Sequence, residues 1–461
     1  MSLLIVLAAL VFLMFVAYRG YSVILFAPVA ALLAVLLTNP AWVLPMFSGI
    51  FMEKMVGFVK LYFPVFMLGA IFGKVIELSG FSQSIVSAVI KLVGRERAML
   101  SIVLVCAILT YGGVSLFVVV FAVYPFAAEM FRQSAIPKRL IPGTVALGAF
   151  SFTMDALPGT PQIQNIIPTT FFNTTAYAAP WLGIIGAVFT VVVGLLYLEW
   201  QRRRAAAKNE GYGAGHANEP EPVPEADLPN AAIAILPLIL VGVLNKVFTS
   251  AIPAAFGASF TVPLPGHPVT VQVTPLAAIW AVEGALLVGI LAVLAFRFRT
   301  VMAKFADGSK AAVAGSLLAS MNTASEYGFG GVIAALPGFL VVAGALQSIP
   351  NPLLNEAITV TALAGITGSA SGGMSIALAA MADSFVQAAN AANIPLEVLH
   401  RVASMASGGM DTLPHNGAVI TLLAVTGLTH RQSYKDIFAI TVVKTLAVGV
   451  IIVAYYALGI V

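Results

Sequence analysis

Apolar stretches fall at about 3–18, 21–38, 61–80, 139–178, 181–200, 230–248, 275–297, 325–347, 396–428 and 436–459. Most approach or exceed the ~20 residues a helix needs to cross the hydrocarbon of a bilayer. The pattern predicts ten spans. Two further apolar segments, about 98–131 and 353–390, are interrupted in the middle by small residues. The first interruption reads Thr110-Tyr111-Gly112-Gly113-Val114-Ser115, and the second Thr367-Gly368-Ser369-Ala370-Ser371-Gly372-Gly373. A half too short to span, a glycine turn and a second half describe a re-entrant hairpin.

The pattern occurs twice. Gly112-Gly113, Ile136-Pro137 and Met154-Asp155-Ala156-Leu157-Pro158 recur as Gly372-Gly373, Ile394-Pro395 and Met410-Asp411-Thr412-Leu413-Pro414, at offsets of 260, 258 and 256. The sequence therefore predicts an all-α polytopic membrane protein made of two repeats. The first covers 1–200, with hairpin 98–131 and broken helix 139–178; the second covers 230–461, with hairpin 353–390 and broken helix 396–428. Five crossings per repeat is an odd number, so the second copy enters the membrane inverted, with broken helices meeting near the midplane. Between the repeats, 201–229 opens on three arginines and ends acidic and proline-rich, which reads as a solvated linker. The stretch 249–274 alternates between prolines like a short strand pair in an outer loop.

Composition agrees. Charged residues make up 9% of the 461 and hydrophobic ones 60%, against about 25% charged in soluble domains. Net charge is +4, and with the N-terminus outside, 17 of the 23 basic residues fall in loops expected inside. That bias places both termini on the periplasmic side of a bacterial inner membrane and assigns the excess charge to topology, not to nucleic acid. Lys54, Lys60, Lys246 and Arg401 are expected outside or at the outer rim, and Lys74 and Lys444 lie within spans. The run Leu3–Val16 reads as a first span and not as a removed signal peptide. The single cysteine, Cys106, allows no internal disulfide and no cysteine-rich metal site.

The chemistry concentrates at the interruptions. MDALPGTPQIQN (154–165) and MDTLPHNG (410–417) break long apolar segments with prolines and polar side chains. Each leaves a half-helix N-terminus whose free N–H groups suit a carboxylate, while freed carbonyls suit a cation. Asp155 and Asp411 are acids at symmetric positions, and an acid at membrane depth costs at least ~2.5 kcal/mol. Together with Glu326, in the polar run Asn322–Gly328, they are the candidates for ion coupling; capping a half-helix is the plainer role for the two aspartates. Candidate substrate contacts are Tyr111, Gly112, Gly113 and Ser115 at the first tip and Ser369, Ser371, Gly372 and Gly373 at the second. Thr160, Gln162, Asn165, Thr412, His415 and Asn416 join them from the breaks. The coupling ion is a proton or Na+. No cofactor and no resident metal site is expected.

The doubled GG hairpin, IP step and proline-rich break, with GAIFGKVIELSG at 69–80, resemble the gluconate:proton symporter (GntP) family over essentially the whole chain. That resemblance implies a scaffold and a transport domain in each protomer, a homodimer, and elevator-type movement of the hairpins and broken helices. The breaks look closest to the branch associated with D-3-hydroxybutyrate; gluconate or another sugar acid is the alternative substrate. A channel would not need paired mid-membrane acids and breaks. There is no GxSxG elbow or HExxH zinc site for an enzyme, and a structural or receptor protein would not need the breaks twice.

Overall fold

The computed structural model describes residues 2–19, 21–94, 97–114, 116–220, 228–339, 341, 349–414 and 416–461. The chain is an all-α polytopic membrane protein. Helices α1 (Ser2–Tyr18) and α2 (Val23–Thr38) pair and lead into α3, a continuous helix over Pro40–Leu78 that includes one π-helical stretch, Phe47–Phe51. After α4 (Phe81–Val93), α5 (Ala98–Tyr111) and α6 (Leu116–Gln133) form the first hairpin. The first broken helix comprises α7 (Ile141–Ala149), one turn at Phe152–Asp155, and α8 (Ile163–Phe172); α9 (Pro180–Ala206) follows.

Apart from α4, whose place in the second half falls largely outside the described residues, the second half repeats that order. It has a helix pair, α10 (Ala231–Phe256) and α11 (Ala277–Met302), and a long helix, α12 (Phe305–Ala335). The hairpin is α13 (Pro352–Thr367) with α14 (Ala370–Ala391), the broken helix is α15 (Leu396–Ser407) with α16 (Gly417–Thr426), and α17 (His430–Leu458) closes the chain. Counterparts pack on one another: α3 lies along α12 and α9 along α17, and α8 crosses onto α15. The only β-structure among the described residues is an antiparallel pair, β1 (Ser259–Val262) with β2 (Val269–Gln272), in the expected outer loop.

Helix α9 shows how the apolar pattern meets the bilayer. Val188, Val192 and Leu196 are exposed at four-residue spacing, and Trp181 and Trp200 are exposed at its two ends. Nineteen residues of helix rise about 28 Å, close to the ~30 Å hydrocarbon thickness, so the tryptophans sit where aromatic belts form. Among the described residues, α3, α9, α10, α11 and α17 are each long and apolar enough to span.

Two spans start about twenty residues earlier than the apolar windows predict. The expected 61–80 is the C-terminal part of α3, and the expected 325–347 begins inside α12, which starts at Phe305. Charged and polar positions such as Glu53, Lys54, Lys60, Asp307 and Lys310 end an apolar window without ending a helix, because such side chains can stand at the rim while the backbone ladder continues. Expected at the outer rim, Arg401 is fully buried in α15. The linker also differs: α9 runs on to Ala206, and the segment 207–220 is docked on the protein.

Candidate functional site

The two interruptions of each half come together. Gly113 (φ +92°) turns the first hairpin and Gly368 (φ +67°) the second. These two are 255 residues apart, which matches the 256 of the MD-x-LP motifs better than the 260 of the GG pairs. Gly372-Gly373 is therefore not the counterpart of Gly112-Gly113. It lies in the first turn of α14, where a Cβ on Gly372 would come 1.6 Å from Glu326 Oε2. The second GG pair exists for close approach.

Each tip is tied to the half-helix opposite it. Gln162, at the start of α8, donates from Nε2 to the Thr110 carbonyl (2.7 Å). Asn416, at the start of α16, donates from Nδ2 to the Gly368 carbonyl (2.6 Å), while its Oδ1 accepts from the N–H groups of Ala418 and Val419. Amide side chains suit this position because they donate and accept at once. The half-helices are thus introduced by Gln162 and Asn416, not by the aspartates.

A cavity of about 1130 Å³ lies between these elements. Its wall includes Gly113, Gln162, Ser369, Ser371, Thr412 and Asn416, with Glu326 and Asp411, so eight of the expected positions converge there. It reaches Tyr21 and Ser22 after α1, and Lys74 and Glu77 near the end of α3. Lys74 is the only cation lining it among the described residues, and it is paired with Glu77 at 2.7 Å. Glu326 is nearly fully buried; its Oε2 has no hydrogen-bond partner among the described residues. Beside it, Thr323 Oγ1 and Ser371 Oγ are 3.1 Å apart, and Ser369 Oγ accepts from the N–H of Gly372 at 3.0 Å.

The other candidates are placed elsewhere. Tyr111, Gly112, Thr160, Asn165, Gly372, Gly373 and Asp155 are not among the lining residues. Tyr111 donates to the Pro158 carbonyl at 2.9 Å, and Thr160 to the Thr153 carbonyl at 2.8 Å. Asn165 is fully buried and donates to the carbonyls of Thr160 (3.0 Å) and Ala176 (2.8 Å). These bonds satisfy the backbone of the break. Ser115 and His415 lie outside the described residues.

The residues that sequence reasoning missed are the partners of these groups. Arg401 donates to the Asp155 carbonyl (2.9 Å), to Asn165 Oδ1 (3.1 Å), and with Nη2 and Nε to the Ala178 carbonyl (2.8 and 3.2 Å). His400 bridges Thr174 (2.6 Å) and Asn165 (3.2 Å). Lys444 pairs with Asp411 Oδ1 at 2.6 Å and donates to the Phe150 carbonyl of the first break at 2.9 Å. Their charge within apolar runs was a usable signal, since Lys444 stands mid-span; its partner was not readable, because Phe150 is 294 residues away.

No protein-family model matches the sequence. The chain is 60% identical, over 472 aligned residues covering 100% of both chains, to "Uncharacterized transporter YxjC" of Bacillus subtilis (strain 168). It belongs to that transporter's family. Among solved structures, the YdaH transporter of Alcanivorax borkumensis, described as having an unusual topology, matches with a TM-score of 0.55 over 88% of each chain at 15% identity. At that identity the likeness concerns the fold, and it extends across both halves of this transporter. In a membrane transporter, a cavity walled by two hairpin tips and two helix breaks is the natural place for a small-molecule site.

Proposed function

We propose that the chain is a proton-coupled importer of small hydroxycarboxylates, D-3-hydroxybutyrate being the best fit, in the manner of the gluconate:proton symporters it resembles. One observation carries the reading. Among the described residues, the cavity wall offers hydroxyls and half-helix N-termini but no unpaired cation, while buried Glu326 has an unpartnered oxygen. A substrate carboxylate would be held by the hydroxyls of Ser369 and Ser371 and by the N–H groups that open α8 at Ile163 and Gln164, all in the cavity wall. Two anions at that depth, Glu326 and the substrate, would repel strongly in a poorly screened site. Binding of the anion with one proton on Glu326 removes the repulsion, so the loaded site carries the same net charge as the empty site with Glu326 ionised. Asp155 and Asp411 frame the proton's path.

In this reading the repeats are inverted, both termini are periplasmic, and the cavity opens inward past Lys74 and Glu77. The scaffold comprises α1–α3 and α10–α12, and the hairpins and broken helices travel against it as an elevator within a homodimer in the inner membrane. Purified protein in liposomes tests the function. With an inward proton gradient it should accumulate labelled 3-hydroxybutyrate, and Glu326→Gln should lose gradient-driven accumulation while retaining exchange of internal for external substrate. Accumulation driven by an inward Na+ gradient instead would remove the proton assignment. Preference for gluconate, which the cavity volume also admits, would move the substrate to the sugar acids. Uptake of neither acid would remove the substrate class.

A further inference from the structure

The acids of the two breaks are duplicated, but their cations are not. Asp155 and Asp411 are 256 residues apart. At the same offset, Lys444 corresponds to Val188, an exposed residue on the outer face of α9. Both buried cations at the breaks, Arg401 and Lys444, come from the second half. Lys444 reaches the breaks from the middle of α17 and is almost fully buried. Its ammonium lies 2.6 Å from Asp411 Oδ1 and 2.9 Å from the carbonyl of Phe150, the residue that ends α7. The Asp155 carboxylate lies against Gly408, the residue that follows α15.

A carboxylate oxygen together with a carbonyl at a half-helix C-terminus is the oxygen set that a small hard cation takes in broken-helix transporters. Here a side chain occupies it. We propose that Lys444 is a tethered cation, filling the position between Asp411 and the first break that an exchangeable inorganic ion would otherwise hold. Lys444 then neutralises Asp411 without any ion from solution. Glu326, the acid lining the cavity that no described cation meets, remains the place for an exchangeable positive charge. Na+ accordingly has no site at this junction. The role given to Glu326 rests on the transport reading above; the occupancy of the junction does not.

The test needs no transport substrate, so its failure is distinct from a failure of the uptake experiment. Full-length protein in detergent is melted in sodium chloride, ethylammonium chloride and choline chloride at equal ionic strength. The wild type should melt at one temperature in all three. Lys444→Ala should melt several degrees lower in choline, and ethylammonium, a free replacement for the lost side-chain end, should restore part of the loss. Asp411→Asn/Lys444→Met, which removes both charges, should melt above Lys444→Ala and respond to none of the salts. Stabilisation of the wild type by sodium over choline would overturn the proposal, as would a Lys444→Ala protein indifferent to ethylammonium. If Lys444→Ala does not fold, radioactive sodium binding to the wild type decides: saturable binding that is lost in Asp411→Asn overturns it, and no binding supports it.

Discussion

Arg401 shows what a single residue does in this molecule. Its guanidinium satisfies the carbonyls of Asp155 and Ala178 together with Asn165 Oδ1, so one side chain closes the backbone of a break to which it does not belong. Only a planar fork of donors reaches such a set, and a lysine is a poor substitute. Removing a partner from a buried charged network costs roughly 3–5 kcal/mol. Arg401→Ala should therefore lower the melting temperature of the purified protein strongly, and Arg401→Lys should recover only part of the loss. Equal stability of Arg401→Lys and wild type would mean that charge alone matters there. Sequence offered a charged residue in a helix with a run of apolar neighbours, but not its burial, which depends on Ala178 coming within 3 Å.

At the scale of elements, the hairpins and broken helices were legible because their causes are local. Glycine turns, prolines and the length of apolar runs fix where a helix stops, and the hairpins predicted at 98–131 and 353–390 are seen as Ala98–Gln133 and Pro352–Ala391. What local signals missed is the fastening of tip to break. Asn416 both caps α16 and donates to the Gly368 carbonyl, whereas Gln162 fastens its tip without a side-chain cap. A lost cap costs about 1 kcal/mol, and a lost hydrogen bond a similar amount. Asn416→Ala should be less stable than Gln162→Ala. Asn416→Asp should fall between wild type and Asn416→Ala, since it keeps the acceptor for the cap and loses the donor for the tip. Thermal melts of the three variants check that order. The glycine pairs taught the opposite lesson: their likeness in sequence suggested equivalence, and the backbone assigned Gly113 to Gly368 instead.

Across the whole molecule, the linker joins the halves by more than covalent continuity. Glu210 accepts two hydrogen bonds from Arg139 (2.7 and 3.0 Å), Lys138 donates to Glu219 and to the Ala217 carbonyl (2.8 Å each), and Asn218 donates to the Ala424 carbonyl at 2.9 Å. The first part of the linker thus straps the start of the first broken helix to the end of the second. The Arg139 guanidinium holds the Glu210 carboxyl below its usual value of 4.5. A depressed folded-state value means that this contribution is fully present above the ordinary carboxylate range and is lost as pH falls through the folded value. Amide hydrogen exchange over 207–220 should accordingly be slow at neutral pH relative to its intrinsic rate, and should lose protection below about pH 4.5. Salt should weaken the same protection, because these pairs are partly exposed.

The sequence by itself determined the membrane class, the helical architecture, the two hairpins, the two breaks and the doubled order of elements. Each follows from demands met within a few residues of chain: a backbone that must satisfy its own hydrogen bonds in hydrocarbon, and residues that cannot continue a helix. Only the tertiary structure decided which polar groups face the cavity and which are used up in holding the breaks together. Asn165, Thr160 and Tyr111 are turned into the protein, Ser369 and Ser371 line the space between the tips, and Gln162 and Asn416 do both, reaching the cavity wall while fastening tip to break. It also decided which carbonyl each buried cation meets, since Lys444 with Phe150 and Arg401 with Asp155 are contacts across hundreds of residues. Hydropathy reports how a residue prefers to be solvated. Its partner is set by the packing of the two halves against each other.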